Sequence, residues 1–232
     1  MAERVTHPIA GAIPVSANSR RYAELLPALE RLGQAARDVV DGVVGTVIDA
    51  AEADAIASEL SAIAAKLRAH AHDDWVLVTD DLMGQRAPLN PVTGTVNPWA
   101  PPMAVSVQPD RSVLGEVTLR RVHEGPPGWV HGGISALLLD QILGHATAAA
   151  GHPAMTASLT LRYKRPTPYG EPLRVTAEFT GTDGRKIHAA GRIQAADGSV
   201  CVEATGVFLQ PREETRAAYF PDAEGPITGD VS

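Results

Sequence analysis

The chain is short of several things, and each shortage narrows what it can be. It holds one cysteine, Cys201, in 232 residues, so no disulfide can close within it and a reducing compartment suits it. Cys201 stands between Val200 and Val202 in a strand-like run, where a free cysteine packs as a small apolar group. Aromatic residues make up only 4%, which disfavours a pocket built for stacking on rings. Basic charge is also scarce. There are 20 Lys and Arg against 27 Asp and Glu, a net −7, with no dense basic run, which argues against a nucleic-acid partner. Apolar runs such as Ile134–Leu139 fall well short of the roughly 20 residues that a membrane-spanning helix needs. Met1–Arg21 contains Glu3, Pro8 and Pro14 and lacks a continuous apolar stretch, so no export signal is expected and the expected compartment is cytoplasmic. Neither a Walker-type loop nor a GxGxxG turn is present, and His123, His145 and His152 form no ligand spacing with Cys201. No metal site is expected.

What is present divides into regions. At 44% hydrophobic and 20% charged, the composition is that of an ordinary globular protein. Residues 1–83 predict an N-terminal tail and helical extension. Within it, Ile56, Leu60, Ile63 and Leu67 trace an apolar stripe of helical period. Gly42 and Gly45 separate that helix from an earlier one around 20–41, and Asp49 or Ser58 can cap or interrupt it. Such a layer is expected to pack or to stabilise a dimer, with a lid over a ligand channel as the alternative. Residues 84–212 predict the main domain, and 213–232 a C-terminal tail. Prolines 88, 91, 98, 101 and 102 make 84–103 an extended connector, not a central strand. Strand patterns follow at 103–107 and 113–122, then a helix over about 132–150, then strands at 154–164, 173–182, 186–195 and 200–210. Asp183-Gly184 and Asp197-Gly198 are hairpin punctuation. One long helix cannot cover both faces of so many strands, so the expectation is an α+β fold in which an antiparallel sheet curls around a central helix.

The segment His131-Gly132-Gly133-Ile134-Ser135-Ala136-Leu137-Leu138-Leu139-Asp140 carries the chemistry. Its glycines permit a tight turn and bring bare N–H groups close to a ligand. At a helix start those N–H groups are unpaired and lie at the positive end of the macrodipole, suited to polarising a carbonyl. Asp140 falls among leucines and isoleucines, where a carboxylate is costly without a partner or a task. Gly133, Ala136, Asp140, Gly144 and Thr147 share one small, polar helix face, a face that admits a slender ligand at Gly132, Gly133 and Ala136.

This His-Gly-Gly followed by Asp resembles the signature of hotdog-fold acyl-CoA thioesterases of the PaaI type. Ala154–Pro166 is similar to the strand after the central helix in the thioesterase superfamily member 4 and 5 group. Asn90-Pro91-Val92-Thr93-Gly94 and Asn97–Pro102 resemble that group's lead-in, so the likeness covers about residues 88–210. It implies hydrolysis of an acyl-CoA thioester. Asp140 would be base or nucleophile, the Gly133 N–H would polarise the carbonyl, Thr156 would assist and His131 would fix the turn. It implies no cofactor, since coenzyme A is part of the substrate, and a homodimer or dimer of dimers.

Spacing bears on how such a site is assembled. Gly132 or Gly133 lies roughly 10–12 Å from Asp140 along one helix, too far for both to meet one reacting carbonyl at about 3 Å. A composite site at a subunit interface is therefore expected. Strict alternation puts Thr156, Ser158, Thr160 and Arg162 on one strand face and Ala157, Leu159, Leu161 and Tyr163 on the other, which looks like the core-facing side. Arg162, Lys164 and Arg165 are candidates for the phosphates of coenzyme A. Two other readings compete: a non-catalytic acyl-CoA sensor or interaction module, and a hydratase or dehydratase, for which the order of His131 and Asp140 does not fit.

Overall fold

The computed structural model describes residues 15–70 and 88–212. The boundary expected at 83/84, the start of the N-terminal tail and the C-terminal tail at 213–232 lie outside the described residues. In chain order the elements are helices α1 (Val15–Gly45) and α2 (Ala50–Arg68), strands β1 (Ala104–Val107) and β2 (Val113–Thr118), a 3-10 turn at Arg121–His123, helix α3 (Gly132–Ala149), and strands β3 (Met155–Tyr163), β4 (Pro172–Asp183), β5 (Lys186–Gln194) and β6 (Val200–Leu209).

The six strands form one sheet in the order β1-β2-β4-β5-β6-β3, every neighbouring pair antiparallel. Helix α3 packs against its middle, chiefly on β4 and β5. The result is the hotdog arrangement: a curled antiparallel sheet around one central helix. Leu138, Leu139, Ile142 and Leu143 of α3 are fully buried against Val175, Ile193 and Phe208, each worth about 1.5–3 kcal/mol on burial. Close approach is needed at Gly115 on β2, where a Cβ would stand 2.7 Å from the Met103 sulfur and 2.9 Å from Ile142 Cδ1. The β4–β5 turn closes at Asp183 opposite Lys186. Gly184 therefore takes the first loop position, with φ of +56°, as a II′ hairpin requires.

Three sequence boundaries need correction. The strand expected over 113–122 stops at Thr118 and gives way to the 3-10 turn. The first helix starts at Val15, ahead of the 20–41 expected for it, and runs through Gly42 to Gly45; open space surrounds both glycines, so neither is forced to end it. Asp49 does cap α2, accepting from the Glu52 N–H at 2.9 Å.

The two N-terminal helices differ in how they are held. Gly33 of α1 is buried against the backbone of Thr95 and Val96. Further along the helix Arg37 donates to the carbonyls of Asn97 and Thr95, each at 2.9 Å. Glu30 accepts from the Thr95 hydroxyl at 2.8 Å, and Asp38 pairs with Arg120 at 3.0 Å. Helix α1 is thus docked by a small, polar face on the proline-rich lead-in. Helix α2 buries no residue at all. No described helix is long and apolar enough to cross a membrane.

Candidate active site

His131 is the N-cap of α3, with extended backbone, and its Nδ1 accepts from the Gly133 N–H at 3.0 Å. Its carbonyl accepts from the N–H groups of Ile134 and Ser135, and its own N–H donates to the His123 carbonyl at 2.9 Å. Tyr163, at the end of β3, donates its hydroxyl to the Gly132 carbonyl at 3.0 Å. The Gly132–Gly133 peptide is therefore held at both ends, its carbonyl by Tyr163 and its N–H by the His131 ring. Among the described residues the N–H left without a partner in this turn is that of Gly132. The family resemblance assigns the donor role to Gly133; in the folded chain that group already serves the cap. Sequence reasoning does not single out Tyr163, whose only signal is that it ends the strand following the helix.

Asp140 lies further along α3, half-buried. Its Oδ1 accepts from the Thr156 hydroxyl at 2.9 Å, and among the described residues nothing bonds to its Oδ2. This contact depends on an irregularity of β3. Thr156 pairs with Phe208 and Ser158 with Val207, so the register slips at Ala157. The extra residue moves Thr156 onto the face of Phe208, which is buried in the core. Strict alternation puts Thr156 on the outer face; the bulge turns it toward α3. Beside Asp140, Gln141 accepts from the side-chain amide of Asn90 at 3.0 Å, and Asn90 also caps the turn into Val92 and Thr93. This ties the lead-in to the same stretch of helix.

Gly133, Ala136 and Asp140 lie on the less buried side of α3, opposite Leu138, Leu139 and Ile142. On one straight helix the glycine turn and Asp140 remain about 10–12 Å apart, and they do not converge within one chain. Of the basic candidates, Lys164 is paired with Glu203 at 3.0 Å, while Arg162 and Arg165 are exposed near the end of β3. None of the three makes a hydrogen bond or ion pair with the glycine turn or Asp140.

A crevice of about 200 Å³ adjoins the first turn of α3, between that turn and α1. Val40, Trp99, Val122 and Ile134 give it apolar walls, and Arg37, Arg120 and His123 line it as well. Arg120 is answered by Asp38 at 3.0 Å and Asp41 at 3.9 Å. Burial holds the His123 imidazole below its usual range, and Arg120 nearby pushes it the same way. His123 Nδ1 accepts from the Arg120 backbone N–H at 3.0 Å. The walls of the crevice are thus mainly apolar, and both of its cations are answered within the chain, Arg120 by Asp38 and Asp41 and Arg37 by the Thr95 and Asn97 carbonyls.

The thioesterase superfamily model matches residues 127–202, the interval from the lead-in of α3 to the start of β6. Acyl-coenzyme A thioesterase THEM4 of Xenopus laevis is 35% identical over 88 residues, 38% of this chain and 40% of that protein. Acyl-coenzyme A thioesterase THEM5 of Homo sapiens is 31% identical over 88 residues, 38% of this chain and 36% of that protein. The match thus spans well under half the length of these curated relatives. A crystal structure of a thioesterase superfamily protein superposes with a TM-score of 0.71 at 44% identity, covering 78% of this chain and 94% of that one.

Proposed function

Because the chain belongs to the thioesterase superfamily, we propose that it hydrolyses an acyl-CoA thioester to the free acid and CoA. The observation that carries this reading is the Asp140–Thr156 contact made by the β3 bulge. It orients one carboxylate oxygen and leaves the other open on the small-residue face of α3. Asp140 takes a proton from the water that attacks the carbonyl carbon and passes it to the CoA thiolate as the C–S bond breaks, or attacks that carbon itself, expelling the thiolate and forming an anhydride that water then hydrolyses. The Gly132 N–H, at the positive end of the helix, receives the developing oxyanion. His131 and Tyr163 act as positioning residues for that turn.

The two halves of this machinery come from two copies of the chain in our reading. Strand β3 is an edge of the sheet, with an unpaired row of backbone groups on its outer side. Asp140 bonds to the first part of β3 and Gly132 to its end, so α3 and β3 run in opposite directions. An antiparallel pairing of two β3 edges would set the Thr156 end of one chain opposite the Tyr163 end of the other. Asp140 of one copy would then face the glycine turn of its partner. The crevice beside Ile134 offers room for the acyl group. Arg162 and Arg165 are left for the phosphates of CoA.

The test is release of free thiol from short, long and aryl acyl-CoAs by the wild type and by Asp140→Asn. The substituted amide keeps an oxygen acceptor for the Thr156 hydroxyl, so folding is expected to hold while turnover drops about 100-fold or more. Binding of acyl-CoA without turnover by the wild type would overturn hydrolysis in favour of a sensor on the same fold.

A further inference from the structure

Helix α2 presents an apolar stripe that no described residue of its own chain covers. Ile56 is 40% exposed, and Ile63 and Leu67 are each 50% exposed. Ala53, Ile56, Leu60, Ile63 and Leu67 succeed one another at alternating steps of three and four. That is the seam of a helix made to meet another helix, with Ala53, Leu60 and Leu67 at one core position of the heptad and Ile56 and Ile63 at the other. The two flanks of the seam differ. One carries Ala57 and Ala64, small enough for a close approach; the other carries Glu52, Glu59 and Lys66.

The flanking charges decide which partner fits. In a parallel pair each charged flank lies against the alanine flank of its neighbour and gains nothing. In an antiparallel pair like flanks meet, so acidic and basic ends of the same helix face each other. Stacking Leu60 against the partner's Ile63 and Ile56 against the partner's Leu67 sets Glu59 beside the partner's Lys66, twice by symmetry. We propose that α2 is a self-association surface, and that its occupant is α2 of a second copy packed antiparallel in this register. This contact is separate from the β3 edge. It stands whether or not the chain hydrolyses acyl-CoA.

The experiment is sedimentation of the full chain over a range of concentrations, with far-UV circular dichroism to confirm folding. Ile63→Glu, which replaces a half-exposed apolar side chain of the stripe, is expected to halve the associated mass. Lys66→Glu places like charges together at both symmetric contacts and is expected to weaken association roughly tenfold. The double exchange Glu59→Lys with Lys66→Glu restores opposite charges and is expected to return association to near the wild-type level. Wild-type behaviour of Ile63→Glu at every concentration would overturn the proposal. So would a double exchange as weak as Lys66→Glu alone, which would assign the stripe to a parallel pair, to α1, or to a different protein.

Discussion

The docking of α1 turns on Gly33, and Gly33→Ala is a sharp test of it. By intrinsic preference the change should help, since alanine favours a helix over glycine by about 1 kcal/mol. The surroundings reverse that sign. A Cβ at Gly33 would stand 2.5 Å from the Val96 carbonyl oxygen and 2.9 Å from that of Thr95. Both obstacles are backbone, in a lead-in held by the Asn90 turn and by prolines on either side, so neither yields cheaply. The simplest relief is for α1 to lift. Lifting breaks the two bonds from Arg37 to the Thr95 and Asn97 carbonyls. Each is charge-assisted and worth about 1.5–3 kcal/mol. Arg37 is only 8% exposed, so water replaces them poorly while the helix stays in place.

Loss of about 3 kcal/mol or more outweighs a gain of about 1, and the helix is expected to loosen by roughly 2 kcal/mol. Amide hydrogen exchange reads this directly. Protection across the α1 turns that follow Gly33 should fall by at least about tenfold, while protection in α3 and β5 stays unchanged. Because Val40 walls the crevice proposed to take the acyl group, discrimination among acyl groups should also relax. If Gly33→Ala kept or raised protection in α1, the close contact with Val96 would not be what seats the helix, and the reasoning would fail.

Two further outcomes follow from the same geometry. Tyr163→Phe removes the hydroxyl bonded to the Gly132 carbonyl. The residue is 56% exposed, so stability should fall by less than about 1 kcal/mol. Turnover, by contrast, should drop roughly tenfold, or about 1.4 kcal/mol in barrier, with KM held. An unchanged kcat would remove Tyr163 from the positioning of the turn. His123 titrates below its usual value in the folded chain, so the unfolded chain takes up a proton first as pH falls through about 6.5. Stability should therefore decline below that pH, by at most about 1.4 kcal/mol per unit from this one group, until the folded form is protonated as well. Urea midpoints from about pH 7.5 down to about pH 5 for the wild type and His123→Asn would show it. Equal slopes for the two proteins would refute the assignment.

The α3 segment shows how far a linear reading reaches. The glycine turn, the apolar ridge of Leu138, Leu139, Ile142 and Leu143, and the acid among them are local patterns. The helix, its buried side and its candidate acid are therefore legible in residue order alone. The hairpins are legible for the same reason, because Gly184 and Gly198 supply positive φ within a few residues of the strands they join. Thr156 is harder. A bulge depends on pairing with β6, far along the chain, and alternation read along β3 alone puts the hydroxyl on the wrong face. The free N–H of the turn is hidden likewise, because which glycine N–H stays unbonded depends on where the His131 ring and the Tyr163 hydroxyl come to rest.

Periodicity, turn chemistry and the cost of placing a carboxylate among leucines were enough to give the order of the elements, the curl of the sheet around one helix and the residue types of the candidate site. All three are fixed by near neighbours in the chain. Folding in three dimensions was needed to bring Thr156 to Asp140, to leave the N–H of Gly132 free in place of that of Gly133, and to dock α1 on the lead-in while no described residue covers α2. Each of those depends on which distant backbone group comes within about 3 Å of a given donor, a relation between chain segments that no local pattern contains.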